Sequence, residues 1–137
     1  MSRYSEATNA YVAELYARRD TGQIIQLGAI SGENWEPQPN DCHNNVDIVC
    51  HNKPDHKAVR GWLYFDYANV MDVVSFMAHS VVETPDGQRF DITPPNPMST
   101  GDQYPFIEAN VSDEEFFAHE DQSQAAGDRG HLYWPRT

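Results

Sequence analysis

The segment Thr84-Pro85-Asp86-Gly87 constrains this chain more tightly than any other. Proline at the second position and glycine at the fourth fit a type I turn closing a three-residue hairpin loop, with the glycine left-handed. Before it runs Val73-Val74-Ser75-Phe76-Met77-Ala78-His79-Ser80-Val81-Val82, part of a β-rich stretch from Val70 to Thr84; after it, Gln88 to Thr93 makes the partner strand. This loop pairs Thr84 with Gln88, and so sets Val81 opposite Asp91 and His79 opposite Thr93. His79, Val81 and Asp91 then share one sheet face, with His79 and Asp91 diagonal neighbours within side-chain reach. A two-residue loop would slip the register by one and send Asp91 to the opposite face. The turn chemistry therefore predicts a His–Asp pair.

Upstream, Asn40 or Asp41 can cap a helix that reaches about Asn52, ahead of Pro54. Cys42, Val46, Val49 and Cys50 recur at i, i+4, i+7 and i+8, one stripe facing a core. Cys42 falls in the first turn, where unpaired backbone N–H groups and the helix dipole favour a thiolate. Cys50, deeper on the same stripe, reads as packing. On one helix the two cysteines lie roughly 12 Å apart, too far to bridge, so Cys42 is expected to be a free thiol. A cysteine, a histidine and an aspartate in this order can make a thiolate, share its proton and orient the imidazole.

The rest of the chain reads as scaffold. Ser5 to Arg19 has a capping residue in Ser5 or Thr8, an apolar face of Tyr11, Val12, Leu15 and Tyr16, and a stop at Gly22. Gln23 to Ile30 fits a short strand or a helix start, and residues 31–40 a proline-containing loop. Ala58 to Ala68 reads as an aromatic-rich strand, and Phe106 to Ala109 as a further one. Ser112-Asp113-Glu114-Glu115 is a capping box before a short helix with Phe116 and Phe117. From about residue 120 the chain is polar, a tail that either packs by Tyr133 and Trp134 or is loose. At 137 residues the expectation is one α+β domain spanning 1–137, its cysteine-bearing helix packed on an antiparallel sheet.

A net charge of −12 argues against a nucleic-acid binder, which must neutralise phosphates, and suits a basic peptide or protein partner. No apolar run reaches membrane-spanning length and Met1 to Glu6 lacks a signal-peptide core, so a cytoplasmic protein is expected. The oligomeric state is not encoded in any motif.

Cysteine at a helix start, then His79-Ser80-Val81-Val82-Glu83 on a strand, then Phe90-Asp91-Ile92-Thr93-Pro94 after a turn, resembles the core of transglutaminase-like proteins. These belong with papain-like cysteine peptidases in one broad superfamily. The resemblance spans roughly residues 35–94. It implies a papain/transglutaminase-like fold and a Cys42–His79–Asp91 triad: Cys42 the nucleophile, His79 the general base and then acid, Asp91 the orienting partner. It implies cysteine-dependent hydrolysis or acyl transfer on peptide or glutamine amides through a thioester, without a cofactor. The backbone N–H of Cys42 with Gln38, Asn40 or Trp35 would supply the oxyanion donors. Two positions depart from the family pattern: His43 and Ser80 stand where aromatic residues are common.

Two other readings compete. The same fold could serve as a non-catalytic module that binds a protein partner. Cys42, His43, Cys50 and His51, with His56 beyond, could instead form a small zinc site, although Cys-His-x6-Cys-His is not a zinc spacing. Adjacent residues on a helix also point about 100° apart, which predicts that Cys42 and His43 diverge.

Overall fold

A computed structural model describes residues 3–28, 35–67, 70–95 and 103–136. In chain order these form α1 (Glu6–Ala17), β1 (Gln26–Leu27), α2 (Cys42–Asn52), β2 (Lys57–Asp66), β3 (Val73–Glu83), β4 (Arg89–Asp91), β5 (Phe106–Glu108), α3 (Asp113–Ala125) and β6 (His131–Pro135). Positions 29–34 of the expected strand and loop, and the end of the expected aromatic strand at 68, lie outside the described residues. The class is α+β, with three helices and a mixed sheet of six strands among the described residues. Strand order is β1-β4-β3-β2-β5, with β6 pairing β3 off this path. The expectation of a purely antiparallel sheet is thereby corrected. β1 runs parallel to β4, Gln26 opposite Phe90 and Leu27 opposite Asp91. A parallel pair needs a long crossover, and the chain between them, which includes α2, supplies it.

The residues group into two compact units, each assembled from separate segments. The first holds residues 1–23, 61–78 and 104–137; the second holds 24–60 and 79–103.

In the first unit α1 starts where Ser5, in extended conformation, accepts the Thr8 N–H at 3.2 Å. α3 starts the same way, with Ser112 accepting the Glu115 N–H at 3.2 Å, as the S-x-x-E pattern predicts. α3 is longer than expected, and the chain beyond it forms β6, which pairs Leu132 with Phe76 and Trp134 with Val74. Val12, Leu15, Trp62, Val74, Phe76, Ile107, Phe116 and Leu132 make the core. Its polar atoms are bonded: the Trp62 indole N–H donates to the Tyr11 hydroxyl at 2.9 Å, and that hydroxyl donates to the Ala109 carbonyl at 2.8 Å. Gly61 is dictated by β5, since a Cβ there would lie 2.4 Å from the Ile107 carbonyl oxygen.

In the second unit Val46 and Val49 of α2 pack with Val82 and Ile92, and Trp35, Cys50, Ala58 and Phe90 close around them. The hairpin takes the register its turn dictates. Gly87 is left-handed at φ 85°, its N–H donates to the Thr84 carbonyl at 2.9 Å, and Thr84 donates to the Gln88 carbonyl at 2.8 Å. Val82 stands opposite Phe90 and Glu83 opposite Arg89, the pairing that continues from Thr84 with Gln88. No helix among the described residues is long and apolar enough to cross a membrane.

Candidate active site

Cys42, His79 and Asp91 all belong to the second unit. Cys42 is the first residue of α2, as the capping pattern implied, but the cap works differently. Asp41 holds the N-cap position without a side-chain bond to the helix backbone; its carboxylate accepts the Asn44 amide at 3.2 Å. Asn40 before it is left-handed at φ 61°, a conformation asparagine tolerates better than most residues.

What anchors this helix start is Asn45, buried one turn below Cys42. Its amide accepts the Gln38 N–H at 3.0 Å and donates to the Gln38 carbonyl at 2.8 Å. The same amide nitrogen donates to the Thr93 hydroxyl at 3.1 Å, so the chain before α2 and the chain after β4 are held by one side chain.

His79 is buried, 7% exposed, and its Nε2 lies 2.8 Å from Asp91 Oδ2. The other carboxylate oxygen of Asp91 accepts the Thr93 N–H at 3.2 Å, an Asx turn that fixes the aspartate before it reaches the imidazole. The Asp-x-Thr spacing is thus a positioning device: residue 91 bonds residue 93, and residue 93 bonds Asn45.

The electrostatics of the thiol follow from these contacts. Burial alone would push Cys42 up, yet hydrogen bonds and charge from His43 and His79 hold it down at about 6, against an ordinary 9.0. Burial alone would likewise lower His79, but hydrogen bonds to Asp91 and Cys42, reinforced by their charges, lift it to about 10. Between these values the stable state is a thiolate beside an imidazolium. Cys50 on the same helix moves the other way: burial raises it, with Arg60 opposing and Asp47 adding. One helix therefore carries a thiol shifted toward the thiolate and another shifted away from it.

His43 is the residue whose place the sequence misjudged. Its Nδ1 lies 3.7 Å from Cys42 Sγ and 2.6 Å from Ser80 Oγ. The predicted divergence of neighbouring helix side chains fails here because the hydroxyl of Ser80 draws the ring in. Ser80 in turn accepts from the Arg60 guanidinium at 2.8 Å, and Arg60 reaches Asp47 at 2.7 Å. His43 and Ser80 are thus hydrogen-bonded to each other.

The remaining candidates are placed as follows. The Gln38 side chain donates to the Glu36 carbonyl at 3.2 Å, Asn40 is exposed, and Trp35 packs against the Val46–Val82 cluster. His51 is exposed and His56 bonds Asp55 at 2.8 Å. Among the described residues no group of three or more His, Cys, Asp or Glu is arranged to hold a metal ion. No protein-family model, no curated protein and no solved structure matches the chain.

Proposed function

We propose that this chain is a cysteine-dependent acyl-transfer enzyme of papain/transglutaminase-like type, acting on peptide or glutamine amides. The observation that carries the reading is the pairing of a thiol held at about 6 with a histidine locked to a carboxylate at 2.8 Å. A thiol in an ordinary core has no reason to be ionised at neutral pH.

In the proposed reaction the Cys42 thiolate adds to the amide carbonyl, forming the C–S bond and an oxyanion. The His79 imidazolium gives its proton to the departing nitrogen as the C–N bond breaks, leaving a thioester on Cys42. Neutral His79 then takes a proton from water or an amine as that nucleophile adds, and the C–S bond breaks to restore the thiolate. With Nε2 on Asp91, Nδ1 is the ring atom that exchanges this proton, and Asp91 keeps the ring from rotating. The Cys42 backbone N–H, at the start of α2, is available to the oxyanion.

The test uses a glutamine-containing peptide mixture, with intact-mass detection of an acyl adduct on Cys42 and assays for released ammonia and new amino termini. The reading expects an adduct that is lost in Cys42→Ala. Ammonia would mark glutamine amides as the substrate and new amino termini would mark peptide bonds. A chain that forms no adduct and releases neither product contradicts it, and would favour a protein-binding module.

A further inference from the structure

We propose that Ser80 is a positioning residue that decides which histidine takes the Cys42 proton. Its hydroxyl donates to His43 Nδ1, holds that ring as the neutral Nε2–H tautomer and leaves the proton to His79. The proposal rests on Cys42 and His79 being the reacting pair. The Ser80 hydroxyl is fully buried, with one proton to give and two lone pairs to fill. Its side-chain partners among the described residues are Arg60 at 2.8 Å and His43 Nδ1 at 2.6 Å. Arg60 can only donate, so it fills a lone pair and cannot take the hydroxyl proton. That proton therefore goes to His43, and Nδ1 is its acceptor. A neutral imidazole that accepts at Nδ1 carries its own proton on Nε2.

The consequence falls on the sulfur. Nδ1 of His43 is 3.7 Å from Cys42 Sγ, within reach of the thiol's proton if its lone pair were open. His43 lowers the thiol only as an imidazolium donating from that nitrogen, and Ser80 with Arg60 works against that form. Protonating Nδ1 would strand the Ser80 proton without an acceptor and set a second cation near the buried guanidinium. His79 has the opposite backing, a carboxylate at 2.8 Å that stabilises an imidazolium. The other charged and titratable groups around this chain are Asp47 and Cys50 on α2, which face Arg60, and Asp91 on β4, which faces His79. Two imidazoles thus reach one sulfur, and the partner behind each makes one the base and the other a fixed neutral ring.

The experiment measures ring-nitrogen NMR shifts of His43 in the parent chain, and the pH dependence of iodoacetamide alkylation at Cys42 in a Cys50→Ala background. The NMR shifts should place the His43 proton on Nε2. His79→Ala should raise the apparent pKa of Cys42 toward 9.0. With Ser80→Ala added, which opens Nδ1 to the thiol, the value reached should lie about 1 pH unit lower, the size of one hydrogen bond to a charged atom. Adding His43→Phe as well should bring back the full rise. A proton on Nδ1 in the parent overturns the proposal, as does a rise that is the same with and without Ser80. A smaller rise that persists in His43→Phe overturns it too, because the effect would not run through His43. Where Ser80→Ala unfolds the chain, the tautomer in the parent decides alone. A parent thiol that ignores His79→Ala removes the proposed function and this inference together, whereas the other failures remove this inference and leave the proposed function standing.

Discussion

Each unit buries a histidine, and the two are used in opposite ways. In the first unit His119 stacks on Tyr11 at 4.2 Å with its Nδ1 2.7 Å from the Thr8 hydroxyl. On α1 it meets the neutral Thr8 and Tyr11, and its Nε2 lies 3.4 Å from the exposed carboxylate of Glu115, one turn back on α3. In the second unit His79 faces a carboxylate and a thiol, and polar groups near it bond one another: the Asn45 amide donates to the Thr93 hydroxyl, the Thr93 N–H to Asp91, and Arg60 to Ser80. A buried ring stacked on a tyrosine and bonded to a hydroxyl contributes to stability, whereas one held between a carboxylate and a thiol sets where protons sit. Losses in the first unit should therefore appear as unfolding, and losses in the second as altered reactivity.

The strongest way to break that contrast is a pair of substitutions. Cys42→Ala should abolish acyl transfer while leaving the chain folded, at a cost of about 1 kcal/mol in unfolding free energy. Trp62→Ala should cost about 3–5 kcal/mol in a denaturant titration, yet leave the apparent pKa of Cys42 alkylation unchanged. If Cys42→Ala unfolds the chain, the second unit is a core and not a site.

His79→Ala should lower turnover by about 10²–10⁴-fold, the range for a general acid and base, with folding retained. The pH profile of turnover has a definite sign. Activity falls below about 6 as the Cys42 thiolate takes up a proton, and falls above about 10 as His79 loses the proton it must deliver. Asn45→Ala should sharpen the comparison, because it strips partners from Gln38 and Thr93 without touching the thiol. A cost of about 1–3 kcal/mol is expected in unfolding, accompanied by reduced turnover at unchanged Cys42 pKa. Asp91→Asn should give a smaller loss of rate than His79→Ala, since an amide can still hold the ring while its charge is gone. Equal rates in wild type and Asp91→Asn would mean that the carboxylate is only structural.

The readable parts of this molecule were those set by local chemistry. Thr84-Pro85-Asp86-Gly87 dictated the hairpin register because turn type and register are one constraint, and the His79–Asp91 contact came with it. The start of α2 at Cys42 followed from the capping residues before it and the apolar spacing after it. What escaped depends on distant partners. β1 is two residues long, and its parallel pairing with β4 rests on a strand some sixty residues away. β6 pairs β3 from a stretch that reads as polar tail. His43 escaped because helix geometry sends it away from Cys42, whereas its ring lies against Ser80 of a distant strand. Asn45 did carry a signal. It lies three residues after Cys42, on the same helix face, and a polar residue beside Val46 on a core-facing stripe needs a buried partner.

The most direct test of the account is the pH dependence of Cys42 alkylation with Cys50→Ala as background, compared between the parent and His79→Ala. The account predicts an apparent pKa near 6 in the parent, rising toward the ordinary 9.0 when the imidazole is removed. A parent value near 9.0 that does not respond to His79→Ala would contradict it, because the thiol and the histidine would then not be a pair.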